Sequence, residues 1–243
     1  MLIAGPCAVE SYEQTRAVAR MVAELGLHVL RGGAFKPRTS PHTFQGLGVE
    51  GLKILRAVAD EFGLLVVTEA LGVEHVPLVA EYADILQIGS RNMQHFPLLW
   101  AAAESRKPIL LKRGFMATID EWLAAAEHIR FHGNSQIILC ERGIRSFDPS
   151  TRNVLDAVAI PLAHSRAPYP VIADPSHATG HAELVLPASL AAVAAGADGL
   201  IVEVHPEPSQ ALSDGAQSLA LAEFPAYVER VRQLAQALGR KVV

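Results

Sequence analysis

Eight short runs of Val, Ile and Leu, at 2–4, 28–30, 64–68, 85–88, 109–111, 137–139, 171–173 and 200–204, recur along a chain of 243 residues. Runs so short and so continuously apolar read as strands buried on both faces. Between them, segments such as 12–25, 52–62, 121–131 and 190–195 space their apolar residues as a helix does, and Gly or Pro marks the junctions. A strand-then-helix unit repeated eight times predicts an α/β fold closed into a single (β/α)8 TIM barrel, with an open doubly wound sheet as the alternative. The composition, 50% hydrophobic and 6% aromatic, supplies a large aliphatic core. The length suits one barrel better than two domains, so residues 1–243 are expected to form one catalytic domain.

A net charge of -4, with cations scattered singly, gives no footprint for nucleic acid. No cationic leader precedes an apolar stretch and no uncharged span reaches 18 residues, so neither export nor membrane insertion is expected and the cytoplasm is the expected compartment. Cys7 and Cys140 are too few for a disulfide framework and are expected as thiols, Cys140 in the core.

The residues where the runs end are polar: Cys7, Arg31, Glu69, Arg91, Lys112, Arg142, Asp174 with His177, and Glu203. A closed barrel brings all such ends to one face, which turns scattered residues into one constellation. After the second run the chain reads Arg31-Gly32-Gly33-Ala34-Phe35-Lys36-Pro37-Arg38-Thr39-Ser40. Glycines let backbone approach a ligand, Pro37 stiffens the path between Lys36 and Arg38, and guanidinium grips carboxylate or phosphate in bidentate fashion. The expected ligand is a phosphorylated anion. Cys7, His177, Glu203 and Asp214 come from the first, seventh and eighth units, which adjoin in a closed barrel. One thiolate, one imidazole and two carboxylates suit a divalent Mn, Fe, Co, Zn or Cu ion. Taken singly, the thiol and the imidazole read equally as core residues. His205 reads either as an outer neighbour or substitute ligand of that ion, or as the residue that shapes the turn before Pro206.

Gly5-Pro6-Cys7-Ala8-Val9-Glu10-Ser11, Lys36-Pro37-Arg38-Thr39-Ser40, Ile88-Gly89-Ser90-Arg91-Asn92, Leu111-Lys112-Arg113-Gly114, Cys140-Glu141-Arg142-Gly143, Asp174-Pro175-Ser176-His177 and Val202-Glu203-Val204-His205-Pro206 together resemble the 3-deoxy-D-arabino-heptulosonate 7-phosphate (DAHP) synthases, and most closely the compact type I-beta branch. The resemblance spans essentially the whole chain. It implies a metal-dependent, aldol-like condensation of phosphoenolpyruvate with erythrose 4-phosphate at the entry to the shikimate pathway. By that resemblance Arg91, Lys112 and Arg142 hold the phosphate of phosphoenolpyruvate, and Arg31, Lys36 and Lys112 its carboxylate. Pro37, Arg38 and Thr39 then belong to the erythrose 4-phosphate contact, and Ser90 and Asp174 are grouped with the substrate residues. Cys7, His177, Glu203 and Asp214 fall on the metal ligands, Glu69 on a residue that orients a water, and Lys36 is cast as proton donor to the new alkoxide, so that Lys36, Glu69 and His177 are the expected catalytic residues.

The nearest rival is 3-deoxy-D-manno-octulosonate 8-phosphate synthase, which takes arabinose 5-phosphate; its Lys-Ala-Asn-Arg-Ser type loop differs from Lys36-Pro37-Arg38-Thr39-Ser40 here. A scaffold or regulatory barrel without activity would be expected to have lost a ligand or a cation. The resemblance also implies a homotetramer or homodimer. Met1 close to Gly5 and a last helix at 224–238 leave no room for a fused regulatory domain or chorismate mutase, so feedback control is expected, if at all, from a separate subunit.

Overall fold

The eight apolar runs are strands, and their residues alternate between two apolar environments. The computed structural model describes residues 1–36, 40 and 42–242. Strands β1 (Leu2–Gly5), β2 (Val29–Arg31), β3 (Leu65–Glu69), β4 (Ile85–Ile88), β5 (Ile109–Lys112), β6 (Ile137–Glu141), β7 (Val171–Ala173) and β8 (Gly199–His205) pair in parallel in sequence order. β1 closes the sheet on β8, with Ile3 opposite Ile201 and Gly5 opposite Glu203. The closed barrel, not the open sheet, is therefore the fold.

Around the strands run α1 (Tyr12–Glu24), α2 (Val49–Phe62), α3 (Val76–Tyr82), α4 (Phe96–Glu104), α5 (Ile119–Phe131), α6 (Ala159–Arg166), α7 (Pro175–Thr179), α8 (Ala182–Ala194) and α9 (Phe224–Ala237). A two-residue strand, β9 (Leu219–Ala220), adds to β8 outside the ring. Local chemistry sets several helix starts. Ser11 accepts from Gln14 N to cap α1, and Thr118 with Glu121 forms a reciprocal capping box on α5. The sequence pattern finds α1, α2, α5 and α9 nearly at their bounds, and only the last third of α8.

Side-chain parity divides the core. Leu30, Val66, Leu86, Leu111, Leu139, Val171 and Val202 pack outward with the helices in the larger apolar cluster. Ile3, Val29, Val67, Ile85, Leu110, Cys140, Ile172 and Ile201, one from each strand, pack against one another inside the barrel. Fully burying one such aliphatic side chain is worth about 1.5–3 kcal/mol, so this inner plug is a large local source of stability. Because strand side chains repeat every two residues, the next inward position of each strand is Gly5, Arg31, Glu69, Gln87, Lys112, Arg142, Asp174 and Glu203. One step toward the strands' C-terminal ends, the lumen changes from wholly apolar to almost wholly polar.

Candidate active site

The polar ring opens into a cavity of about 330 Å³ lined by Arg31, Lys36, Glu69, Gln87, Ser90, Arg91, Lys112, Phe115, Arg142, Arg152, His177 and Asp214 among others. Two of its buried cations carry carboxylate partners in the wall, and the more exposed Arg152 lies 3.4 Å from Asp214. Arg31 Nη1 lies 2.7 Å from Glu203 Oε1, and Lys112 Nζ lies 2.5 Å from Asp174 Oδ2, all four side chains being buried. Barrel closure is what joins Arg31 to Glu203 across 172 residues of sequence. Gly5 is required at that junction, since a Cβ there would sit 1.9 Å from the Arg31 carbonyl oxygen.

Arg142 is different. Its Nη2 donates to the His177 carbonyl at 3.1 Å and its Nη1 to the Gly143 carbonyl at 3.3 Å, with no carboxylate in contact among the described residues. Burial lowers its pKa to about 10, against partial support from Asp174. Arg91 likewise has no ion pair among the described residues, and its guanidinium stands over the Phe115 ring, 5.4 Å from the centroid. Buried Arg31 Nε and Ser90 Oγ have no hydrogen-bond partner among the described residues. Buried polar atoms are seldom left so, and both residues line the cavity that a polar ligand would enter.

Cys7, His177, Glu203 and Asp214 meet at the cavity base, each offering a donor atom within 4.8 Å of the others. Asp174 makes this possible for His177: as the N-cap of α7 it accepts from His177 N at 2.9 Å, while its Oδ2 lies 2.7 Å from the ring Nδ1. The other ring nitrogen, Nε2, lies 3.3 Å from Glu203 Oε1. Asp214 adopts a left-handed backbone, φ 54°, a conformation in which Asp is among the tolerated residues. Its Oδ2 is 3.2 Å from Cys7 Sγ, and Ser213 Oγ is 3.1 Å from the same sulfur.

The electrostatics fit a cation. Burial would raise Glu203, yet His177, Arg31 and Lys36 outweigh it and hold the carboxyl well below the ordinary range. Burial likewise favours the neutral form of Asp174, but His177 and Lys112 keep it well below its usual value. Burial, aided by Glu203, pushes the Cys7 thiol up to about 12, and burial lowers His177 despite the neighbouring carboxylates. The set thus offers ionised carboxylates and a neutral imidazole, and a thiol that ionises only when a strong positive charge arrives. Lys36 Nζ, 2.8 Å from Cys7 Sγ and 3.0 Å from the Cys7 carbonyl, links the group to the substrate loop.

Of the residues expected from sequence, Arg31, Lys36, Glu69, Ser90, Arg91, Lys112, Arg142, Asp174, Cys7, His177, Glu203 and Asp214 all come to this face. Pro37, Arg38 and Thr39 lie outside the described residues. Glu69 accepts from Gln87 Nε2 at 2.9 Å; a Cβ on Gly89 would meet its Oε1 at 2.1 Å, so Gly89 makes room for it. Cys140 is in the inner aliphatic plug, as expected. His205 accepts from Glu207 N at 3.1 Å through Nδ1, and its Nε2 lies 3.3 Å from Glu10 Oε2, which makes it a brace of the loop leading to Asp214 and not one of the four residues that meet at the cavity base. Sequence reasoning misses Gln87, Phe115, Arg152 and Gln217. Gln217 donates to Glu203 Oε2 at 2.6 Å, and Arg152 Nη1 donates to Gln217 Oε1 at 2.7 Å. For Gln87 the inward parity of β4 is a usable signal; Phe115 and Arg152 sit on loops and Gln217 ends a single 3-10 turn, none with a periodic pattern.

Fold and site together define a (β/α)8 barrel with a cation-lined mouth and a four-residue group able to take a metal ion. The sequence model of the DAHP synthetase I family matches residues 1–240, and the chain belongs to that family. It is 57% identical over 241 residues to phospho-2-dehydro-3-deoxyheptonate aldolase of Thermotoga maritima, covering 99% of this chain and 71% of that protein. The crystal structure of that DAHP synthase superposes with a TM-score of 0.98 at 56% identity, over 100% of this chain and 71% of the other. A truncated form of the Thermotoga maritima enzyme gives 0.94 at 53% identity, covering 100% and 89%. The 2-dehydro-3-deoxyphosphooctonate aldolase of Trichlorobacter lovleyi is 36% identical, covering 96% of this chain and 92% of the relative. Among the described residues no helix is long and apolar enough to cross a membrane.

Proposed function

We propose that this chain is a DAHP synthase, a transferase that condenses phosphoenolpyruvate with erythrose 4-phosphate to give 3-deoxy-D-arabino-heptulosonate 7-phosphate and inorganic phosphate, the first step of the shikimate pathway. The observation that carries the choice of aldose is 57% identity to the heptonate enzyme against 36% to the octonate enzyme. The geometry supports the rest. C3 of an enol phosphate must reach an aldehyde carbon, so two anionic substrates have to be held close together against their mutual repulsion. Fixed cations do this, and their pairing suggests a division of labour. Arg31 and Lys112, part-neutralised by Glu203 and Asp174, suit the singly charged carboxylate. Arg91 and Arg142, with no carboxylate in contact among the described residues, suit the doubly charged phosphate, with Ser90 Oγ free to donate.

A divalent ion held by Cys7, His177, Glu203 and Asp214 would supply Lewis-acid polarisation of an aldehyde oxygen. Lys36, touching Cys7, stands where it can deliver a proton to the alkoxide formed from that oxygen. Glu69, held by Gln87, orients the water that adds at C2 before phosphate leaves by C–O cleavage. Pro37, Arg38 and Thr39 carry the erythrose 4-phosphate contact. Residues 1–243 act as one catalytic domain in the cytoplasm, as a homotetramer or homodimer; a separate regulatory subunit is compatible with this reading.

The test is a comparison of kcat/KM for erythrose 4-phosphate and arabinose 5-phosphate with saturating phosphoenolpyruvate and Mn²⁺. A preference of about 10²-fold or more for the four-carbon sugar is expected, on the scale by which a site rejects an ill-fitting substrate. Equal or better use of arabinose 5-phosphate would overturn the assignment.

A further inference from the structure

Apart from Lys36 at Cys7 and Arg152 at Asp214, the cations at and beside the mouth fall into two sets, and what marks the second is Phe115. Arg31 and Lys112 are tied to carboxylates. Arg142, Arg91 and Arg145 instead stand over one aromatic ring, with guanidinium carbons 4.7, 5.4 and 5.3 Å from its centroid. None of the three has an ion pair with a described residue. Three like charges do not gather unaided, and Arg142 already feels its burial. A ring face carries a negative quadrupole and attracts a guanidinium without supplying a formal charge. A carboxylate in the same place would also gather the cations, but it would compete with an incoming phosphate for them.

We propose that Phe115 is a positioning residue that assembles a guanidinium cluster, without ion-pair partners among the described residues, for the phosphate of phosphoenolpyruvate, a step that rests on the functional reading above. The ring forms the wall between the active-site cavity and an adjoining pocket, bordering both. Its backbone is fixed for the task, since the Phe115 carbonyl accepts from Arg145 N at 2.8 Å and joins the loop after β5 to the loop after β6. The ring is half-buried at the cavity edge and absent from the apolar clusters. Aromatic side chains in the core are explained by packing; this one is explained by its three cations.

The experiment replaces the ring in three ways and reads phosphoenolpyruvate KM and kcat, with calorimetric binding of phosphoenolpyruvate and of inorganic phosphate alongside, all in Mn²⁺. Phe115→Leu is expected to raise KM for phosphoenolpyruvate about tenfold while kcat stays within about threefold, in line with the loss of partly desolvated cation–ring contacts. Phe115→Glu is expected to raise it further by capturing the arginines. Pentafluorophenylalanine incorporated at position 115 keeps the shape and reverses the ring quadrupole, so it should behave like Phe115→Leu. A merely space-filling residue would leave the fluorinated protein unchanged, and wild-type KM and phosphate affinity in that protein would overturn the proposal. If wild-type protein binds both phosphates in a ring-dependent way yet turns over neither sugar, the functional reading falls and the cluster stands.

Discussion

The floor and the mouth of the barrel lumen are built by the same eight strands on the same face, two residues apart, yet they obey opposite rules. In the floor, Ile3, Val29, Val67, Ile85, Leu110, Cys140, Ile172 and Ile201 fill space with aliphatic volume. In the mouth, buried ionised groups persist because most have an assigned counter-charge: Arg31 with Glu203, Lys112 with Asp174, and behind them Arg113 with Glu141 and Asp156. Replacing ion pairs by apolar residues is often neutral or stabilising, so these charges are not explained by stability. The lesson is that a barrel can reserve one layer for cohesion and leave the next for chemistry.

The sharpest way to break that division is to carry mouth chemistry into the floor. Ile201→Glu places an unpaired carboxylate among aliphatic residues, at a cost of several kcal/mol that rivals the whole stability of a domain. No cooperative thermal transition is expected, whereas Glu203→Gln, two residues on, should still melt cooperatively. A cooperative melt for Ile201→Glu near that of wild type would show the floor to be less dry than its packing implies.

A second prediction uses protons. With its thiol pushed up to about 12, Cys7 is protonated at neutral pH in the metal-free protein, so taking up a divalent ion must expel that proton. His177, lowered by burial, is already neutral and adds no second proton. Affinity for Mn²⁺ should therefore rise about tenfold per pH unit between about pH 7 and 9. Equilibrium dialysis across that range checks it, and a flat profile would mean the sulfur does not bind as thiolate.

The smallest effect belongs to the floor. Ile172→Val removes one methyl group and should cost about 1 kcal/mol by denaturant unfolding, with KM for both substrates unchanged. A change in KM would show that the floor shapes the mouth.

Much of this arrangement was legible in the chain itself. Buried parallel strands need unbroken aliphatic runs, so all eight show, and the polar residues ending them mark the mouth. The pairing is less visible, because Arg31 and Glu203 meet only through closure. Short helices such as α3 and α6 give too few turns for a period to emerge, and α4 is apolar almost all round. Phe115 reads as an ordinary loop aromatic until three guanidiniums from two neighbouring units are seen to share its ring. Closure supplies what local pattern cannot, namely which distant residues share a face.

The most direct test of the account is phosphate release from phosphoenolpyruvate in the presence of erythrose 4-phosphate, followed through removal of metal by EDTA and its return as Mn²⁺. The account predicts turnover that EDTA abolishes and Mn²⁺ restores. Undiminished turnover in protein verified to be metal-free would contradict it.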